Sequence, residues 1–357
     1  MKTQIQVIQL FRGLAALLVC CFHMKGLLPE NSFGFVLFKK GSIGVPLFFI
    51  ISGFIMYLTT NQIEWKIERI KNFLIKRAVR IIPLYYLATL VYLMVSYQLH
   101  FYIIEHPKLL LPTIFFYPTY ANLIGPSYGM PALKVGWSLN YEVYFYLLLA
   151  FSFVFKKYRW YIFATIIIIT LIIIPILTRG YVMQDLRQWY TYHISYFSLI
   201  TNPVILFFVL GVCIGKLYQS TINFNRIIWA NLFVFASLIN FIGYYFDLFN
   251  LFSGFFSHLF NCGLLILSTL LRDKLKPYKI PKFFIYLGDI SFSLYLVHPI
   301  VLFSLPIVLI QAGFTTPLNG WWYLCSCLLV IILISSITYR IVEKRLSKLL
   351  PNLMNNE

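Results

Sequence analysis

Ten apolar segments, each near the length needed to cross a bilayer, constrain the fold of this chain more than any other feature. A transmembrane helix needs about 20 predominantly apolar residues. We place segments of about that length near 7–28, 43–60, 81–98, 137–155, 160–177, 203–219, 227–245, 250–271, 290–311 and 320–341. These segments predict an all-α, polytopic membrane protein of about ten transmembrane helices.

The amino-acid composition excludes an ordinary soluble domain. Of the 357 residues, 60% are hydrophobic and only 11% are charged, whereas soluble domains are about 25% charged. A soluble fold of this chain would have too few polar side chains to cover its surface. We therefore predict a multi-pass protein of the cell (inner or plasma) membrane with membrane lipid around it.

The positive charge of the chain is distributed in a way that indicates topology. A net charge of +18 would suggest nucleic-acid binding in a soluble protein, but here the cations lie in short loops. With the N-terminus in the cytoplasm, 22 of the 29 Lys and Arg residues fall on the cytoplasmic side and 7 on the other, as the positive-inside rule requires. We predict both termini in the cytoplasm, one membrane domain over 1–345, a short cytoplasmic tail over 346–357, and no nucleic-acid partner.

The first apolar segment contains two ionisable side chains on one helix face. Arg12 and His23 lie eleven residues apart, which places them on the same stripe with a rise of about 16 Å between them. Ionisable groups inside a membrane are costly and usually mark a functional site, and a neutral histidine can act as a general base. The alternative is that His23 lies at the interface while Arg12 reaches the headgroups.

A carboxylate in the fourth segment offers a partner for that histidine. Glu142 lies in WSLNYEVYFY, about 8 Å below the predicted outer boundary, and His23 has a similar predicted depth. A buried carboxylate needs a partner, and a Glu–His pair orients an imidazole and stabilises its protonated form. We predict His23, Glu142 and Arg12 as catalytic residues. The alternative is a glutamate that faces a water-filled vestibule.

A pair of arginines precedes the third segment, in KNFLIKRAVRIIPLYYL. Arg77 and Arg80 are three residues apart and share one face, at the predicted cytoplasmic start of the span. Guanidinium pairs suit phosphate, so we predict that they bind the phosphates of a donor, together with Arg12. The alternative is that the two arginines anchor the span to anionic headgroups.

Two further motifs are predicted to shape the helices. In GSIGVPLFFIISGFIMYL the small residues Gly41, Gly44, Gly53 and Ser52 allow close helix approach. In YLGDISFSLYLVHPIVL the residues Asp289 and Ser291 predict a helix start, and His298 then lies about 12 Å inside the inner boundary. His298 is either a hydrogen-bonded core residue or a catalytic one. The six cysteines show no zinc spacing, and we predict no metal.

Taken together, the motifs resemble the integral-membrane acyltransferase-3 family. The matches follow the family order: Arg12 with His23, then GVPLFFIISGFIM, then Arg77 and Arg80 before a proline, then WSLNYE ending at Glu142, and finally SFSLYLVHP. The form GWSLNYEVYFYLL resembles the branch that acetylates bacterial exopolysaccharides, of the succinoglycan type.

The resemblance implies an acyl-CoA donor, usually acetyl-CoA, a carbohydrate acceptor and a ten-helix membrane domain. It places Arg12 and His23 on the family's essential pair, Arg77 and Arg80 on its basic motif, and Glu142 on its acidic position. One departure concerns Pro46, where the family commonly has Asp. A polar role at that position is therefore absent here or is taken by another residue.

We therefore predict an enzyme that transfers an acyl group, in particular acetyl, from acyl-CoA to a hydroxyl of a cell-surface or exopolysaccharide sugar. The acceptor is a polysaccharide or a lipid-linked oligosaccharide, and transfer is either direct or through an acetyl-histidine. Candidate substrate or cavity residues are Trp137, Asn140, His298 and Ser52. The rival classes are a transporter or flippase of lipid-linked saccharides, which would use the same buried charges to line a pathway, and a non-catalytic membrane scaffold.

Overall fold

The computed structural model shows a helical chain. It describes residues 5–61, 66–105, 107–118, 124–129, 131–183, 185, 192, 194–221, 224, 226–249, 251–252 and 254–347. Every regular element in these ranges is a helix, and no strand occurs in them. The all-α prediction is confirmed. Most of the predicted tail, 348–357, lies outside the described residues.

Fifteen α-helices occur in the described part of the chain. They are α1 (Gln6–Met24), α2 (Phe33–Lys39), α3 (Gly44–Thr60), α4 (Ile67–Val95), α5 (Leu111–Phe115), α6 (Trp137–Phe153), α7 (Arg159–Ile168), α8 (Ile174–Arg179), α9 (Ser195–Ile200), α10 (Ile205–Gln219), α11 (Ile227–Tyr245), α12 (Gly254–Leu275), α13 (Lys282–Asp289), α14 (Ser291–Gln311) and α15 (Gly320–Thr338). A π-helical turn, Ile169–Ile173, joins α7 to α8, and another, Tyr339–Glu343, extends α15.

Each of the ten predicted segments corresponds to a helical stretch. In the part of the chain that the structure describes, eight helical stretches are long and apolar enough to cross a membrane; they contain α1, α3, α4, α7 with α8, α11, α12, α14 and α15. The other two segments correspond to α6, with 17 residues, and α10, with 15 residues. The protein is therefore a multi-pass membrane protein, while the number ten and the orientation of the termini stay predictions.

The chain forms two compact units. The first contains Met1–Ile63, Val204–Phe292 and Asn319–Trp321, and the second contains Glu64–Pro203, Ser293–Leu318 and Trp322–Glu357. The prediction of one domain over 1–345 stays a prediction.

In the first unit, α3 and α10 pack with their backbones in close contact because each helix presents a glycine to the other. A Cβ atom added to Gly53 would lie 2.0 Å from the carbonyl oxygen of Phe208. A Cβ atom added to Gly211 would lie 2.0 Å from the carbonyl oxygen of Ile50. Neither backbone oxygen can move aside without displacing its helix, so both positions require glycine. The predicted packing role of Gly53 is confirmed.

Helix α1, which carries two predicted site residues, is held in the same way. Cβ atoms added to Gly41 and Gly44 would each lie 2.3 Å from a carbonyl oxygen of α1. On another side of α1, a Cβ atom added to Gly288 of α13 would lie 2.2 Å from the carbonyl oxygen of Gln9. These close backbone contacts fix the rotation of α1, and therefore the direction of its polar stripe.

We expect Gly53→Ala to destabilise the protein, because the added methyl group has no space against the α10 backbone. Overpacking of a well-packed interior costs about 1–3 kcal/mol, which predicts a lower apparent unfolding temperature in detergent. Gly26→Ala is the matched control, since a Cβ atom there meets nothing within 4 Å. Equal unfolding temperatures for the two variants would contradict the packing described for α3 and α10.

In the second unit, α4 and α6 pack antiparallel to each other. The ring of Phe73, early in α4, lies 5.6 Å from the ring of Phe153 at the end of α6. Later in α4, the Tyr85 hydroxyl lies against Gly136, which directly precedes α6. Residues in the middle of α4 therefore lie beside residues in the first half of α6.

One predicted helix boundary is wrong. Helix α4 begins at Ile67 and not near residue 81, because the charged stretch before residue 81 is helical although its hydropathy resembles that of a loop. The helix start predicted at Asp289 and Ser291 is observed, because α13 ends at Asp289 and α14 begins at Ser291. The earlier start of α4 changes the position of the paired arginines, as described next.

Candidate active site

Arg12 and His23 both lie on α1, as predicted. The Arg12 side chain is half-buried, and its Nη1 donates a hydrogen bond to Gln9 Oε1 over 3.2 Å. His23 lies one residue before the end of α1, its side chain is exposed, and its Nδ1 lies 2.9 Å from the carbonyl oxygen of Val19. Because α1 is one continuous helix, the spacing along a single face follows from helix geometry.

The contact between His23 and Val19 defines which imidazole nitrogen is basic. A carbonyl oxygen can only accept a hydrogen bond, so Nδ1 of His23 carries the hydrogen in this contact. In the neutral ring, Nε2 then holds the lone pair that can accept a proton. An exposed imidazole with Nε2 as its basic atom is suited to general-base chemistry.

A cluster of charged side chains lies in the second unit, between α4 and α6. Tyr146 donates a short hydrogen bond to Glu142 Oε1. The charge of Glu142 acts on the guanidinium groups of both Arg77 and Arg80. The structure therefore brings together three of the predicted site residues and adds Tyr146 to them.

Arg77 also contacts two aromatic rings. Its Cζ atom lies 5.5 Å from the centroid of Phe73 and 5.6 Å from that of Tyr146, within the range of a cation–π interaction. Its Nε is buried, and no acceptor among the described residues lies within hydrogen-bonding distance of it. A buried N–H without an acceptor is costly, which makes this donor suited to an anionic ligand.

Glu343, which the sequence analysis did not select, completes the cluster. It lies in the π-helical turn after α15, which packs against α4. Its Oε1 accepts a hydrogen bond of 2.5 Å from Ser293 Oγ, and its charge acts on Arg80. The available signal was a carboxylate within a basic segment directly after the last apolar span. Because the last predicted span ends at residue 341, the sequence places Glu343 in the cytoplasmic loop that follows.

The structure corrects the predicted depth of the arginines. Arg77 and Arg80 lie ten and thirteen residues after the first residue of α4, about 15 and 20 Å along its axis. In the antiparallel packing of α4 against α6, these two arginines lie at the same depth as Glu142, whose charge acts on both of them. The sequence predicts the arginines at the inner boundary and Glu142 near the outer one, and this predicted separation is wrong.

The four residues predicted to line a cavity have different environments. Trp137 is the first residue of α6 and is half-buried, and its ring lies 6.1 Å from that of Tyr141. Asn140 is buried, and no donor among the described residues lies within hydrogen-bonding distance of its Oδ1. Ser52 is half-buried in α3. His298 is fully buried, and its Nδ1 lies 3.2 Å from the carbonyl oxygen of Leu294, which favours a core role over a catalytic one.

Pro46 lies in the first turn of α3 and is buried. The position where the resembled family commonly has Asp therefore holds an apolar side chain within the first unit. Across the described residues, no group of three or more His, Cys, Asp or Glu side chains is arranged to hold a metal ion.

Comparison with known proteins decides the family. The acyltransferase domain known as acyltransferase-3 matches residues 5–340. The chain belongs to the acyltransferase-3 family. This result confirms the resemblance seen in the motifs, and it identifies the protein as a multi-pass membrane acyltransferase of the plasma membrane.

Two relatives of this acyltransferase-3 protein have names that state a function. The exopolysaccharide production protein ExoZ of Rhizobium meliloti is 29% identical over 318 residues, which are 87% of this chain and 90% of that protein. The peptidoglycan O-acetyltransferase OatA of Listeria monocytogenes is 33% identical over 160 residues, which are 41% of this chain and 24% of that protein. No solved structure matches the chain.

Proposed function

We propose that this acyltransferase moves an acetyl group from acetyl-CoA to a hydroxyl group of an extracellular or cell-surface polysaccharide. The similarity to ExoZ over most of both chains supports a polysaccharide acceptor, and the partial similarity to OatA supports O-acetyl transfer. The structural observation that carries the proposal is the charged cluster of Arg77, Arg80, Glu142 and Glu343 inside an apolar helical unit. Charges at such a position are costly unless they serve a function.

The two arginines have different roles in this proposal. Arg80 is acted on by two carboxylates, Glu142 and Glu343, so its charge is largely offset within the protein, and it serves as a positioning residue. Arg77 lies over two aromatic rings, and its Nε has no acceptor in the part of the chain that the structure describes. Arg77 therefore contacts a phosphate of the donor, to which a guanidinium donates strong, charge-assisted hydrogen bonds.

His23 acts as the general base of the transfer. Its Nε2 takes the proton of the acceptor hydroxyl while the oxygen attacks the thioester carbonyl of acetyl-CoA. A new C–O bond forms, the C–S bond breaks, and the imidazolium returns the proton to the leaving thiolate. The bond from Nδ1 to the Val19 carbonyl keeps the ring in the tautomer that this step requires.

Glu142 was predicted to orient His23, and this pairing stays a prediction, because the two residues belong to separate compact units. Its contacts within the second unit support a further role, since it accepts from Tyr146 and offsets the charges of Arg77 and Arg80. The role of Arg12 as an additional contact for the donor also stays a prediction.

The proposal is tested by the acetyl content of the surface polysaccharide in a strain that lacks this protein. We expect NMR of the polysaccharide to show the loss of one set of O-acetyl signals, with the yield of polymer unchanged. The purified protein in detergent should transfer labelled acetyl groups from acetyl-CoA to the deacetylated polymer. Loss of polymer export, with normal acetylation of the remaining polymer, would instead support the rival transporter or flippase.

A further inference from the structure

A groove between α10 and α12 in the first unit lies outside the residues used so far. Its volume is about 510 Å³, which falls in the range of small-molecule sites. Leu210, Cys213 and Leu217 line it from α10, and Phe260, Leu264 and Leu267 line it from α12. The walls are hydrocarbon and aromatic apart from one thiol.

The groove ends at a group of basic residues. Helices α10 and α12 run in the same direction, because Gly263 lies against Leu210 and Lys274 Nζ donates to the carbonyl oxygen of Ser220 over 2.7 Å. Lys274 follows Leu267 by seven residues, so it lies on the lining face of α12. Its ammonium group therefore lies at the end of the groove where both helices terminate.

A second lysine flanks that end. Lys216 is three residues after Cys213 on α10, and its side chain is exposed. The nearby carboxylate of Asp273 is buried and accepts a hydrogen bond from the Tyr278 backbone N–H over 2.8 Å. The end of the groove thus carries positive charge that is accessible from outside the protein.

We propose that this groove binds an anionic phospholipid, with one acyl chain between α10 and α12 and the phosphate at Lys216 and Lys274. The groove belongs to membrane-embedded helices, where acyl chains are the surrounding medium. A helix of a second copy, about 10 Å wide, is too large for a recess of 510 Å³. Basic pockets between membrane helices at the cytoplasmic surface are suited to anionic headgroups, and the predicted topology places this end there.

The test is competitive lipid retention by the purified full-length protein. The protein is delipidated in mild detergent and incubated with equal amounts of phosphatidylglycerol and phosphatidylcholine, and the retained lipid is measured by native mass spectrometry. We expect about a tenfold preference for phosphatidylglycerol, because its headgroup has a net negative charge beside the two lysines, whereas the phosphate of phosphatidylcholine is neutralised by its own choline group. Equal retention of the two lipids by the wild-type protein would overturn the proposal.

Variants separate the two parts of the site. Leu267→Trp fills the groove and should abolish the retention of both lipids, whereas Leu329→Trp, at an exposed position of α15, should not. Cys213→Phe fills the groove from the other helix and serves if Leu267→Trp does not fold. The double variant Lys216→Gln with Lys274→Gln should keep phosphatidylcholine but lose the preference for phosphatidylglycerol. Lys76→Gln is its control, because Lys76 is an exposed lysine of α4, a helix that does not line the groove.

Two results would contradict the proposal. One is retention of phosphatidylglycerol by both groove-filling variants at the wild-type level. The other is a dimer that Leu267→Trp dissociates without any change in bound lipid, which would show that a second copy covers the groove. Neither result depends on the proposed acetyl transfer, because the assay contains no donor and no acceptor.

Discussion

His23→Ala is expected to lower acetyl transfer by about 10²- to 10⁴-fold, because a positioned general base contributes a factor of that size. The variant should still insert into the membrane and keep its unfolding temperature, since the His23 side chain is exposed and its bond to Val19 lies within its own helix. The measurement is the rate of labelled acetyl transfer by purified protein, together with the acetyl content of polysaccharide in a complemented deletion strain.

His258 provides a matched control for this experiment. Like His23, it lies on a helix and has its Nδ1 near the carbonyl oxygen four residues earlier, in this case Gly254 at 3.1 Å. His258→Ala should therefore remove the same type of local contact without removing the base. Wild-type transfer rates in His23→Ala, or an equal loss in both variants, would exclude His23 as the base.

Arg80→Gln is expected to destabilise the protein by about 3–5 kcal/mol, the usual cost of removing one partner from a buried ion pair. The variant removes the cation that acts against the charge of Glu343 and one of the two cations, Arg77 and Arg80, that act against the charge of Glu142. The measurement is heat-induced unfolding in detergent, with Arg69→Gln as the control, because Arg69 is an exposed residue of the same helix.

A double variant shows whether Glu343 acts through Arg80. Arg80→Gln combined with Glu343→Gln should lower the free energy of unfolding by clearly less than the sum of the two single losses. The reason is that each single variant leaves an unbalanced charge, whereas the double variant removes both charges. Additive effects would show that Glu343 and Arg80 are independent, and the charged cluster would then not be a unit.

Arg77→Gln should affect donor binding more than stability, whereas Arg80→Gln should affect stability more than donor binding. Arg77→Gln removes cation–π interactions, each worth about 0.5–2 kcal/mol, so the loss of stability should be smaller. The KM for acetyl-CoA should rise about tenfold or more, because a hydrogen bond to a charged group is lost. If Arg80→Gln instead raises KM and Arg77→Gln unfolds the protein, the two assigned roles are reversed.

The apolar segments of the sequence determined the fold class, the membrane location and ten helical stretches. This information is local, because a segment of about 20 consecutive apolar residues is rarely anything other than a membrane-spanning helix. The spacing of Arg12 and His23 and the small residues of α3 were also readable without coordinates, since helix periodicity and the absence of a side chain are properties of the chain itself.

The tertiary structure decided which charges meet. The depth of Arg77 and Arg80 along the helix axis depends on the start of α4 at Ile67 and on its antiparallel packing with α6. Hydropathy predicts neither the helix start nor the packing. Glu343 reaches Arg80 only because the π-helical turn after α15 packs against α4. Pairing between side chains more than two hundred residues apart is a property of helix packing, and for that reason only the folded chain could determine it.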